Sequence, residues 1–100
     1  MVVTTTPKKN HAQKMCRVLV KKSLAACCQI VGPIESRYVW ENRVEVNKEY
    51  LCLIKTTKAR YKELEKAIKK IHPYEVPEII ATDISNGYRP YLNWLGNAVK

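Results

Sequence analysis

The residues best suited to chemistry lie together in His72-Pro73-Tyr74-Glu75-Val76-Pro77-Glu78, which sets an imidazole, a phenol and two carboxylates on a doubly proline-stiffened backbone. Proline fixes its own φ and biases the residue before it away from the α region. His72 and Val76 are therefore expected to be extended, and a helix arriving from the N-terminal side must stop near Ile71. An extended rod alternates its side chains. Tyr74, Val76, Glu78 and Ile80 then face one way, and Glu75, Pro77, Ile79 and Ala81 the other. Such a set is a reasonable place to build a site. It suits a general acid–base pair. The bland reading is that the prolines only steer a helix into a sheet.

The elements around this segment follow from periodicity. Val2 to Thr5 is β-branched and reads as a first strand. Thr6-Pro7 reads as a hydroxyl N-cap with proline at the first helical position. Ala12, Met15, Cys16 and Leu19 then recur at helical spacing, to about Ala25. Cys27 to Val31 is a second strand, bent at Gly32-Pro33 and resuming from Ile34 to Trp40. Glu41-Asn42-Arg43 turns the chain, and Asn42 tolerates the positive φ that a tight hairpin needs. The return runs from Val44 to about Thr56, and Tyr50-Leu51-Cys52-Leu53-Ile54, apolar on both faces, makes it a central strand.

Thr57 caps a second helix with Tyr61, Leu64, Ile68 and Ile71 buried and Glu65–Lys69 paired outward. A fourth strand is expected from about Val76 to Ile84, then a turn at Ser85-Asn86-Gly87. Pro90 opens a last helix with Leu92, Leu95 and Val99 on one side and Trp94 on another. The order β-α-β-β-α-β plus a terminal helix is an α+β, ferredoxin-like split β-α-β arrangement. At 100 residues it is one domain, residues 1–100.

The returning strand, at about 3.3 Å per residue, spans roughly 43 Å. A globule of this length is roughly 34 Å across. The hairpin tip, carrying Tyr38 and Trp40, is thus expected to overshoot the body, and an exposed aromatic edge invites pairing with another copy.

Composition narrows the function classes. No apolar run reaches the length of a membrane span, and Met1-Val2-Val3 has no signal-like apolar stretch, so a cytoplasmic protein with no membrane partner is expected. Net charge is +9. Most of the basic residues fall in the two helices, as on solvated faces, without stacking or helix-turn-helix motifs, so nucleic acid is not an expected partner. Cys16, Cys27, Cys28 and Cys52 form no C-x-x-C and lie in apolar surroundings. They are expected to be reduced core thiols.

Thr4-Thr5-Thr6-Pro7, Leu24-Ala25-Ala26-Cys27, Tyr38-Val39-Trp40-Glu41, Ile54-Lys55-Thr56-Thr57, His72 to Glu78 and Tyr91-Leu92-Asn93-Trp94-Leu95 match in order the landmarks of the CutA proteins, the small divalent-cation tolerance proteins. The chain resembles that family over essentially its whole length. The resemblance implies a stable homotrimer assembled through the long hairpin, and a role in the response to metal ions, copper among them. It also implies kinship in fold with the trimeric PII regulatory proteins. Some members proposed to bind copper carry cysteine where Thr4 stands and histidine where Ile71 stands, so His72 alone remains of that set. The resemblance thus implies a divalent cation, Cu or Zn, bound weakly through His72 with carboxylate help from Glu75 and Glu78. The alternative function is a PII-like sensor. In it a small anionic ligand occupies inter-subunit clefts lined by Tyr38, Trp40, Lys55, Tyr74 and Trp94. Catalysis is not expected, since no nucleophile elbow or cofactor motif is present. A purely structural scaffold is the remaining reading.

Overall fold

The computed structural model describes residues 1–100 and carries a four-stranded antiparallel sheet with three helices. Its strands are β1 (Val2–Thr6), β2 (Cys27–Trp40), β3 (Arg43–Lys55) and β4 (Ile80–Ala81), in the spatial order β2-β3-β1-β4. Helices α1 (Lys9–Lys21) and α2 (Tyr61–Ile71) cover one sheet face, and α3 (Arg89–Ala98) ends the chain. The expected ferredoxin-like order is thus present, with β3 central between β2 and β1.

The core lies between the helices and that face. Alternation along β1 sends Val2, Thr4 and Thr6 inward, and along β3 it sends Cys52 and Ile54. Against these pack Ala12, Met15 and Leu19 of α1 and Leu64 and Ile68 of α2, the helical stripes read from spacing. On the other face Leu51 and Leu53 are only half-buried, and α3 meets that face at Lys55, whose ammonium lies over the Tyr91 ring.

β2 and β3 pair from Cys27↔Lys55 to Trp40↔Arg43, with one register shift between Val31 and Ile34. That bulge falls at Gly32, where a Cβ would sit 2.5 Å from the Tyr50 ring. Glycine is what lets the chain approach there. At the tip, Glu41 and Asn42 both have positive φ, 51° and 63°. This is the two-residue turn geometry whose twist matches the strands. The molecule measures 44 × 26 × 21 Å, so the arm extends the long axis beyond a sphere of this chain length.

Several boundaries differ from expectation. α1 has no side-chain cap, because the Thr6 hydroxyl donates to the Lys8 carbonyl and holds a turn in front of the helix. The same helix stops at Lys21 rather than Ala25. Ser23 adopts a positive φ of 58°, and the amides of Ser23 and Leu24 return to the Val20 and Leu19 carbonyls. This is a Schellman closure with serine where glycine is usual. Thr57 likewise caps without its side chain, before a single 3-10 turn over Lys58–Arg60. Glu65 accepts from the Tyr61 hydroxyl at 2.7 Å and makes no ion pair with Lys69; the ion pair on this helix is Arg60–Glu63.

The fourth strand is two residues long, not nine. Pro77 has no amide to give a ladder, and Ala81 pairs with Val2, already the first residue of β1. Residues 82–88 run as irregular chain rather than forming a turn at 85–87.

The cysteines differ most. Cys16 on α1 and Cys28 on β2 form a disulfide, while Cys27 and Cys52 are free. The reading as four reduced thiols is therefore corrected. Helix packing over the sheet brings residues 12 apart in sequence to a Cα separation of 5.2 Å, which no spacing motif discloses.

Candidate functional site

The segment after α2 is tied down at its first residue. His72 is buried, and its Nε2 lies 2.8 Å from the Thr5 carbonyl oxygen while Nδ1 lies 3.1 Å from the Tyr74 amide. A backbone carbonyl only accepts and a backbone N–H only donates, so the pair fixes the tautomer. Nε2 carries the proton and donates to Thr5, and Nδ1 accepts from Tyr74. Both nitrogens are thus engaged, and ligation of a cation by His72 requires one of these bonds to open.

The same bonds bend the chain. Residues 73–76 curl instead of running as a rod, because Tyr74 turns its amide back to the imidazole. The expected alternation of side chains is lost with the bend. Tyr74, Glu75, Val76, Pro77 and Glu78 all line one cavity of about 740 Å³, closed on the other side by Thr5, Glu49 and the β2 residues Ser36, Arg37, Tyr38 and Trp40.

Glu49 is the residue that sequence reasoning passed over. It stands in the polar run Asn47-Lys48-Glu49, yet only 5 % of it is exposed. It accepts a 2.6 Å hydrogen bond from the Tyr74 hydroxyl. Burial, then this bond and the neighbouring charge, raise the Tyr74 pKa, so the phenol stays a donor at any physiological pH. The signal in the sequence was parity: Glu49 shares its face with Leu51 and Leu53.

The structure divides the predicted residues into two groups. Tyr38, Trp40, Tyr74, Glu75 and Glu78 meet at the cavity, with His72 beneath it. Lys55 and Trp94 do not. The Lys55 ammonium lies 5.5 Å from the Tyr91 ring centroid, and Trp94 packs on the same ring at 5.6 Å. His72, Glu75 and Glu78 do not converge as a ligand set within this chain. The one group of three metal-ligating side chains with mutually close donor atoms is Cys16, Cys28 and Cys52.

His72 also gives the site a pH dependence. Burial lowers its pKa below the ordinary value of 6.5; the Thr5 bond and Glu49 oppose this, and His11 adds to it. The unfolded chain then binds more protons below about pH 6.5, so this contribution to stability is complete above that pH and is lost as pH falls through the folded-state value. Protonation of Nδ1 also deletes the acceptor for Tyr74. We expect the denaturant midpoint to fall between pH 7.5 and 5.0 by more in the wild type than in His72→Gln. Equal falls would show that His72 does not carry the effect.

A ferredoxin-like sandwich with a projecting hairpin and an acidic, aromatic-walled cleft defines the class of protein. The chain belongs to the CutA1 divalent ion tolerance protein family, whose model matches residues 1–98. The divalent-cation tolerance protein CutA of Thermus thermophilus is 41% identical over 95 residues, covering 95% of this chain and 92% of that protein. The CutA homolog of Xenopus laevis is 38% identical over 95 residues, and the match covers 95% of this chain but 63% of that longer protein. Among solved structures, the divalent cation tolerance protein of Thermus thermophilus superposes with a TM-score of 0.97 at 39% identity, covering 99% of this chain and 96% of that one. No helix here is long and apolar enough to cross a membrane.

Proposed function

We propose that this protein is a trimeric, non-catalytic binding protein of the divalent-cation response, working in the cytoplasm and receiving a cation in the cleft between β2 and the proline-stiffened segment. The observation that carries this reading is the cleft's charge. Glu49, Glu75 and Glu78 line it against one basic residue, Arg37. Carboxylate oxygens suit hard and borderline divalent ions. The same imbalance disfavours the anionic ligand of a PII-like sensor. Cleft catalysis lacks support, because both His72 nitrogens are engaged and the Tyr74 hydroxyl donates to Glu49.

A single chain offers too few converging oxygens for a tight site, so the remaining ligands come from a second copy. Two features favour assembly through the arm. β2 is a long edge strand. Val39 of β2 and Val44 of β3 at the hairpin tip, and Val76 beside the cleft, are about two-thirds exposed. Exposed apolar side chains grouped at the arm and the cleft mark a surface that another chain covers.

Calorimetric titration of metal-free protein with Cu²⁺ and Zn²⁺ tests the site. Glu75→Gln with Glu78→Gln is expected to weaken binding by at least about tenfold, the usual minimum for disturbing a metal's surroundings. Unchanged binding, or none in the wild type, would remove the cleft as a cation site. Light scattering at micromolar concentration tests the assembly, and a mass of one chain would overturn it.

A further inference from the structure

We infer that the core of this protein holds a second, redox-gated metal site, in which Cys16, Cys28 and Cys52 take one soft monovalent cation, copper(I), once the Cys16–Cys28 disulfide is reduced. The site lies between α1 and the sheet, on the opposite face from the acidic cleft and independent of it. Three elements build it. Cys16 projects from α1. Cys28 pairs across the ladder with Ile54, and Cys52 sits two residues before Ile54 on β3, so Cys28 and Cys52 are diagonal neighbours on the helix-facing side. Cys27 points to the other face and takes no part.

The three sulfurs all lie within 4.8 Å of one another. A planar S₃ site with metal–sulfur bonds of about 2.3 Å needs sulfurs about 4 Å apart. Cys52 thus already stands at ligand range of the pair, and reduction only has to let Cys16 and Cys28 part. Thiolates select soft ions such as copper(I), whereas structural zinc takes four ligands. A fourth is missing, since the core residue across β1 from Cys52 is Thr4, a hydroxyl with no hydrogen-bond partner. Cys16 and Cys28 are only half-buried, which gives the ion a way in, while Cys52 is sealed.

The chemistry balances simply. A dithiol reductant breaks the S–S bond, delivering two electrons and two protons, and itself closes to a disulfide. Copper remains copper(I), and each sulfur that ligates it releases its proton to water. Because each ligating thiol gives up a proton, uptake strengthens with rising pH.

The test uses the full chain, reduced anaerobically with a dithiol that is then removed, and titrated with copper(I) against a bicinchoninate competitor. One equivalent per chain is expected, with none taken up by the oxidised protein. Cys52→Ser is expected to weaken uptake about 100-fold or more, whereas Cys27→Ser leaves it unchanged. Uptake unaffected by Cys52→Ser, or equal in oxidised protein, overturns the site. Should Cys52→Ser not fold, X-ray absorption on the reduced, copper-loaded wild type decides. Three sulfur neighbours support the inference, and two refute it.

Discussion

Ile54→Ala is expected to lower the free energy of unfolding by about 4 kcal/mol, toward the top of the range for deleting a buried aliphatic side chain. The position explains the size. Ile54 is fully buried on the central strand, paired with Val2 on one side and Cys28 on the other. Each neighbouring strand is fixed by its own ladder, so the sheet cannot close over the void, and unrelaxed cavities are the costly ones. For a chain of this length the loss corresponds to a fall in melting temperature on the order of 20 °C at fixed protein concentration. Ile54→Val, which removes one methylene, is the control and should cost about 1 kcal/mol. Comparable losses from the two variants would mean that shape at this site, and not volume, governs its stability.

Breaking the Cys16–Cys28 disulfide is expected to cost about 3 kcal/mol, from the entropy that the cross-link removes from the unfolded chain for a loop of this size. The bridge joins residues 12 apart, from the middle of α1 to the start of β2. It therefore closes the loop that contains the Schellman turn at Ser23, whose backbone is held by two amide bonds and by the Thr56 hydroxyl donating to the Leu24 carbonyl. Guanidinium denaturation with and without dithiol reductant should show the midpoint shift, and Cys16→Ala with Cys28→Ala should behave like the reduced protein. A midpoint indifferent to reductant would mean that the helix–sheet packing already confines the loop. Copper(I) uptake by the reduced protein would restore part of the loss, because an ion that binds only the folded state stabilises it by mass action.

Local rules shaped the segment around the candidate site. Pro73 ended α2 at Ile71, and Pro77 kept the following chain out of a ladder. The cluster of Tyr74, Glu75 and Glu78 does line a cavity, and Tyr38 and Trp40 reach it from the hairpin. Within one chain Lys55 and Trp94 lie together at Tyr91 and not at this cavity, because their neighbour depends on where α3 lies against β3, which no local signal reports. Glu49 escaped notice because a carboxylate among polar residues reads as solvent-facing. Only the third dimension sets the Tyr74 hydroxyl against it.

The residue order by itself determined the element sequence, the central place of β3, the long arm and the helical stripes, since periodicity and proline act within a few residues of chain. Tertiary structure alone decided three matters: the disulfide, the fixed tautomer of His72, and the curl that turns five consecutive side chains into one wall. Each depends on contacts between residues distant along the chain, the imidazole being 67 positions from the Thr5 carbonyl that orients it. Such distances are set by how sheet and helices pack, a property of the whole molecule that no local pattern encodes.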